Sequence, residues 1–208
     1  MYARRRLCVT LGFSLGLLAL ASGDGPRSIL DGDDPRQFEL VGLAPEDVKI
    51  RNGEVSLAGR PHGYFATKKS YHNYMLEFEW RYDRPEGLAS DAAFHGNSGL
   101  LIHAEAPHKI WPKSIEAQLF HPDAGHLFAI HGARLEVQDD PAARRKAAKP
   151  VGEWNRQVVA CRDGKITCSI NGTEVSRGEG AVPDRGHLGW QSEGSPIRFR
   201  NLKIRTFD

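Results

Sequence analysis

The chain has 208 residues, with 28 Lys and Arg against 26 Asp and Glu, 40% hydrophobic residues, 22 Gly and 12 Pro. That length accommodates one domain with a sizeable core, and the ordinary hydrophobic content excludes wholesale disorder. A formal net charge of +2 argues against a general nucleic-acid binder.

The N-terminus reads as an export signal. Arg4, Arg5 and Arg6 form a positive region, Leu7 to Leu20 form an apolar stretch of 14 residues, and Ala19-Leu20-Ala21 has the small-x-small pattern of a cleavage site. Residues 1–21 are therefore expected to be a signal peptide cut before Ser22, which sends the protein to the periplasm or outside the cell. The alternative is an uncleaved anchor, for which the apolar run is short of the roughly 20 residues a bilayer needs. Removing residues 1–21 takes away three Arg and no acid, leaving 25 basic against 26 acidic residues, a net of −1. The basic excess thus belongs to the signal and not to a binding surface. Residues 22–36, rich in Gly, Asp and Pro, read as a flexible lead-in to one domain over 37–208.

Strands follow one another from there. Val48-Lys49-Ile50-Arg51, Asn52-Gly53, then Glu54-Val55-Ser56-Leu57 predicts a hairpin, since Asn-Gly suits the positive φ of a type I′ turn. Tyr74, Leu76, Phe78, Trp80 and Tyr82 alternate with Met75, Glu77, Glu79 and Arg81, a period of 2. Further strands are expected at 98–104, 114–120, 126–130, 133–137, 154–161, 165–170, 173–176, 186–191 and 197–206, punctuated by Gly132, Asp163-Gly164, Asn171-Gly172 and Gly194. Only Pro141 to Lys149 suits a helix, a short basic excursion in solvent. This density of short strands predicts an all-β jelly roll or sandwich.

Cys8 leaves with the signal, and Cys161 and Cys168 remain. If Asp163-Gly164 is a two-residue turn, Cys161 faces Ile166 and lies diagonal to Cys168 on the same sheet face. A disulfide then requires a longer loop or a bulge, because the Cα atoms must come within about 7 Å. Two buried thiols are the alternative.

Chemistry is sought where polar residues alternate along strands that bury their other face. In Ser114-Ile115-Glu116-Ala117-Gln118-Leu119, Glu116 and Gln118 share one face, opposite Ile115, Ala117 and Leu119. If the apolar set is core, Glu116 and Gln118 lie on the floor of a groove; otherwise they line a solvated outer face. Asn97, Gly99, Leu101 and His103 likewise share a face, and Gly99 lets a ligand or another backbone come close. In Gly189-Trp190-Gln191-Ser192-Glu193-Gly194, Gln191 and Glu193 share a face, with Trp190 on the core side. Nine His residues and the run His121-Pro122-Asp123-Ala124-Gly125-His126 raise the question of a metal, but the spacing matches no compact metal motif.

Five blocks then occur in one order: Gly96-Asn97-Ser98-Gly99-Leu100-Leu101, Trp111-Pro112-Lys113-Ser114-Ile115-Glu116-Ala117-Gln118, Pro150-Val151-Gly152-Glu153-Trp154-Asn155, Ile170-Asn171-Gly172, and Gly189 to Asn201. Together they resemble the 3-keto-disaccharide hydrolase family of exported bacterial proteins, over about residues 36 to 207. The resemblance implies a concanavalin A-like jelly roll of two antiparallel sheets. It also implies hydrolysis of 3-keto-glycosides whose C3 hydroxyl a partner dehydrogenase has oxidised. A C3 ketone acidifies the C2 proton, so a base can start an elimination that expels the aglycone from C1 before water adds back. The strand that carries two or three carboxylates in laminarinase-type glucanases here reads Glu116-Ala117-Gln118-Leu119-Phe120-His121, with one carboxylate and an amide. A retaining pair is therefore missing from that strand.

On this resemblance Glu116 is expected to be a base or a metal-binding carboxylate, and Asn97, Gln118 and Gln191 sugar hydrogen-bonders. His103 is a candidate acid or base, since imidazole titrates near neutrality. Glu193 is a second carboxylate or a brace for the last strand, and Lys113 an enolate stabiliser or a solvated cation. No particular cofactor is expected, and a divalent cation bound by oxygen ligands, or by Glu116 with a nearby His, stays open. The alternative to an enzyme is a non-catalytic carbohydrate-binding module, because one sandwich serves both.

Overall fold

The computed structural model describes residues 25–106 and 108–207; the expected signal over 1–21 and Cys8 lie outside the described residues. Among the described residues, fifteen strands are arranged in two antiparallel sheets. They are β1 (Arg27–Ser28), β2 (Glu39–Val41), β3 (Val48–Arg51), β4 (Glu54–Leu57), β5 (Gly63–Ala66), β6 (Tyr74–Tyr82), β7 (Gly99–Ala104) and β8 (Ser114–Gln118). After these come β9 (Leu127–Ile130), β10 (Arg134–Asp139), β11 (Asn155–Arg162), β12 (Lys165–Ile170), β13 (Thr173–Val182), β14 (His187–Ser192) and β15 (Ile197–Thr206). One sheet runs β10-β13-β12-β11-β6-β15-β4-β3, with β1 added beside β15; the other runs β2-β5-β14-β7-β8-β9. This is the expected jelly-roll sandwich.

The core lies where the apolar alternates of the two sheets meet. Leu76, Phe78, Trp80 and Tyr82 of β6 and Phe199 of β15 face Phe65, Leu100, Ile102, Ile115, Ala117 and Trp190 of the second sheet. Trp190 stacks on Phe65 with centroids 5.2 Å apart and meets Phe78 edge-on at 6.0 Å. Burial of these large rings, at roughly 25 cal/mol per Å² of apolar surface, is the main force closing the sandwich. A separate small apolar group, Tyr64, Ala66, Leu101 and Ala104, lies outside that core. It marks the outer face of the six-stranded sheet.

The structure corrects four readings. Residues 25–36 are not a free lead-in: Arg27 and Ser28 pair with Ile204 and Lys203, Ile29 donates to the Leu202 carbonyl, and Asp34 caps a 3-10 turn over Pro35–Gln37. Strands β2 and β5 were not anticipated, since β2 has three residues and β5 is buried on both faces and so shows no alternation. Strand β13 runs on to Val182, past Gly178 and Gly180. The helix α1 (Pro141–Ala147) forms as expected, capped by Asp140, but its Arg144 is buried. Arg144 ion-pairs with Asp139, reaches Asp123 Oδ1 at 3.2 Å, and donates to His126 Nδ1 at 3.2 Å. The His121–His126 segment is thereby tied to α1.

Cys161 pairs with Ile166 and Cys168 with Val159, the diagonal placement of a two-residue turn. Both sulfurs are free thiols in the core.

Candidate functional site

Three neighbouring strands of the six-stranded sheet build the site. Strand β7 lies between β14 and β8, with Gly99 opposite Gln118 and Leu101 opposite Glu116. The apolar alternates Ile115 and Ala117 point into the core, so Glu116 points out of the sheet's other face. Its carboxylate leans over β7 and accepts a hydrogen bond from Gln191 Nε2 on β14, 3.1 Å from Oε2. Gly99 makes this possible. A Cβ at that position would lie 2.3 Å from Glu116 Oε1 and 2.5 Å from Gln191 Oε1. The glycine leaves the space in which the two side chains meet.

Burial dominates the electrostatics. Glu116 is 5% exposed, and loss of solvent pushes its carboxyl up to about 8, against which the Gln191 hydrogen bond pulls down and the nearby Glu193 carboxyl pushes up again. Glu116 is therefore mostly protonated at neutral pH. Burial also raises Glu193, which is half-buried where its backbone bridges Asn97. The oxygens Gln191 Oε1 and Asn97 Oδ1 are buried and have no hydrogen-bond partner. Unmet acceptors of this kind suit a ligand that brings hydroxyl donors.

The sequence candidates divide accordingly. Glu116, Gln191, Gly99, Asn97 and Glu193 come together. Gln118 is adjacent, but its Oε1 accepts from the backbone N–H groups of Leu119 and Phe120 at 2.9 and 2.8 Å, which fixes a turn. Lys113 donates to Glu105 at 3.1 Å, at the far end of β8. His103 leaves the outer face altogether. The register slips by one residue between His187–Ala104 and Gly189–Leu101, and His103 sits in this bulge at φ 57°. Its ring packs edge-on against the core residue Tyr74 at 5.7 Å, with Nδ1 3.2 Å from the Pro183 carbonyl. Desolvation lowers it to about 4. The expectation that His103 shares the face of Gly99 and Leu101 is thus corrected by the bulge.

The sequence reading missed groups on the other side of Gln191. Tyr64 of β5 lies opposite Gln191, and His108, His187 and Glu39 gather beside it. Neither β5 nor β2 was expected, so no pattern marked these residues as sharing a face with Glu116. Among the described residues, no group of three or more His, Cys, Asp or Glu side chains is placed to hold a metal ion.

Solved structures with the same sandwich include two assigned as glycosyl hydrolases from Parabacteroides distasonis ATCC 8503. One is 20% identical, with a TM-score of 0.65, covering 88% of this chain and 100% of that one. The other is 19% identical, with a TM-score of 0.64, covering 85% and 91%. The carbohydrate binding module CBM66 from Bacillus subtilis is 10% identical, with a TM-score of 0.53, covering 82% and 96%. Among curated proteins none matches significantly. At these identities the neighbours establish the fold alone. The sequence itself goes further, because it matches a family profile from residue 25 to residue 205, nearly all of the described chain. The chain belongs to the 3-keto-alpha-glucoside-1,2-lyase-like domain family.

Proposed function

We propose that the protein cleaves 3-keto-glycosides by eliminating the aglycone across C1 and C2 and hydrating the product. Family membership gives the broad class, glycosyl hydrolase-like or carbohydrate-binding; the keto substrate and the elimination are the finer reading. The observation that carries it is the state of Glu116, a nearly dry carboxyl held by an amide and protonated at neutral pH. A buried neutral carboxyl is a proton donor. In this reading Glu116 is the acid, where the sequence suggested a base or a metal-binding carboxylate. Its part is to protonate the glycosidic oxygen as the C1–O bond breaks.

The keto group explains how such a site works without an ionised nucleophile. Removal of the C2 proton gives an enolate, whose collapse expels the protonated aglycone and leaves a C1–C2 double bond. Water then adds at C1. Asn97 and Gln191 offer free acceptors to the sugar hydroxyls. A dehydrogenase that oxidises C3 must supply the substrate. In this reading both steps take place outside the cytoplasm, and the signal-like pattern of residues 1–21 supports that.

One observation favours a second reading. The Glu193 carboxyl pushes Glu116 up, so a second carboxyl borders the site, and direct glycosidases work with two. A chromogenic 3-keto-glucoside, its unoxidised parent and the Glu116→Gln variant decide between them. Release from the keto substrate alone, lost in the variant, is the expected result. Release from the parent glucoside supports the carboxylate pair, and sugar binding without release supports a binding module.

A further inference from the structure

The elimination needs a base for the C2 proton as well as the acid that Glu116 supplies. Across the outer face of the six-stranded sheet from Glu116 stands a second bank of polar groups. Between the banks the floor is small and apolar, formed by Ala66, Gly189 and Leu101, aligned in register. Tyr64 is fully buried, and its ring lies on Gly189, where a Cβ would be 2.8 Å from Tyr64 Cδ2. Its hydroxyl has no hydrogen-bond partner. His108 stands over this ring at 6.2 Å and meets His187 edge-on at 4.6 Å. The His108 side chain is 4% exposed, with Nδ1 3.0 Å from Glu39 Oε1, a close but oblique contact. Its Nε2 is buried with no partner. His187 is turned by its own Nδ1, 2.8 Å from the Thr67 carbonyl.

A buried polar atom without a partner costs about 1–3 kcal/mol. Tyr64 Oη and His108 Nε2 both carry that cost, on rings whose centroids are 6.2 Å apart, which points to a ligand that relieves both. A carboxylate 3.0 Å from Nδ1 favours a proton on that nitrogen, which leaves Nε2 as the proton acceptor. Desolvation lowers His108, which keeps the ring neutral, and raises Tyr64, which keeps its phenol protonated. Strands β5 and β8 are three ladder steps apart, about 14 Å between backbones.

We propose that His108, positioned by Glu39, is the base that takes the C2 proton, and that Tyr64 donates a hydrogen bond to the C3 oxygen. This rests on the keto-glycoside reading above. The C2–H bond breaks, its proton passes to His108 Nε2, and its electron pair forms the C2–C3 double bond with negative charge on the C3 oxygen. The enolate collapses to restore the carbonyl and form the C1–C2 double bond. The C1–O bond breaks, and the departing oxygen takes the Glu116 proton. Water then adds to C1 and returns a proton to Glu116, while C2 recovers its proton from His108.

The test uses the mature chain in D2O with two probes. One is the chromogenic 3-keto-glucoside; the other is 3-keto-1,5-anhydroglucitol, which has no aglycone to expel and reports C2 proton exchange by NMR. Expected are exchange and release by the wild type, and loss of both by about 100-fold or more in His108→Gln. Glu116→Gln should keep exchange and lose release. Tyr64→Phe should slow exchange, and Glu39→Gln should slow it less than His108→Gln. Wild-type exchange rates in His108→Gln, or exchange lost in Glu116→Gln and kept in His108→Gln, overturn the assignment while leaving the keto-glycoside reading intact. A wild type inert toward both probes overturns both. Should His108→Gln not fold, Tyr64→Phe and Glu39→Gln decide, because unchanged exchange in both removes the bank from the reaction.

Discussion

Gly99 is the smallest residue of the site, and the site depends on its lacking a Cβ. Gly99→Ala places a methyl carbon against the ends of Glu116 and Gln191. Those ends can move, so a modest destabilisation of about 1–3 kcal/mol is expected. Activity on a 3-keto-glucoside should fall by about 100-fold or more, because the displaced carboxyl no longer meets the leaving oxygen. Comparing urea midpoints with release rates for this one variant separates the two effects.

Glu116 makes a second prediction through its titration. Folding raises it from an ordinary 4.5 to about 8, so between those values the folded state holds a proton that the unfolded chain has lost. Stability must therefore fall as pH rises across that window, by an amount on the order of a few kcal/mol. Urea unfolding at pH 5, 7 and 9 should show the fall in the wild type, and Glu116→Gln should flatten it. Release should likewise decline as pH rises through about 8, where the donor loses its proton. The face on which Glu116 lies was legible from Ile115, Ala117 and Leu119. Its protonation was not, since that follows from packing by residues far away in the chain.

At the scale of elements, α1 shows how a basic surface-looking segment becomes part of the frame. Arg144 lies between Asp139, Asp123 and His126, with its side chain 6% exposed. Arg144→Ala removes a buried side chain from between carboxylates that solvent still reaches, and Asp139 keeps His126 beside it, so a loss of about 1–2 kcal/mol is expected in chemical denaturation. Arg156 and Glu77 form a bidentate pair on the outside of the large sheet, at 2.7 and 2.6 Å. Arg156→Ala should cost about 1 kcal/mol or less, because solvent replaces the exposed pair. Long strands with clean alternation, such as β6 and β15, could be read from sequence nearly to the residue. Strand β5 could not, because Gly63, Tyr64, Phe65 and Ala66 are buried on both faces. The strand without a pattern is the one that brings Tyr64 to the site. His103 failed for a local reason, a one-residue bulge that no composition signal marks.

For the molecule as a whole, the turn count and strand density were enough to indicate a sandwich or jelly roll, and the family resemblance added the two antiparallel sheets. The thiols test how well that sandwich is sealed. Burial pushes both Cys161 and Cys168 up to about 12, so neither forms a thiolate at neutral pH. A thiol reagent should label the native protein far more slowly than the urea-unfolded chain, with two equivalents reacting once the mature chain is unfolded. Rapid labelling in buffer would show that β11 and β12 open well below global unfolding. The first and last strands raise a further point, since Arg27 pairs with Ile204 and Ser28 with Lys203. The domain is close to a ring in its connectivity, with its seam in the large sheet. A circularly permuted protein, spliced at that seam by a short linker and reopened at the exposed Asn52-Gly53 turn, should keep every strand pairing and the entire outer face that holds Glu116.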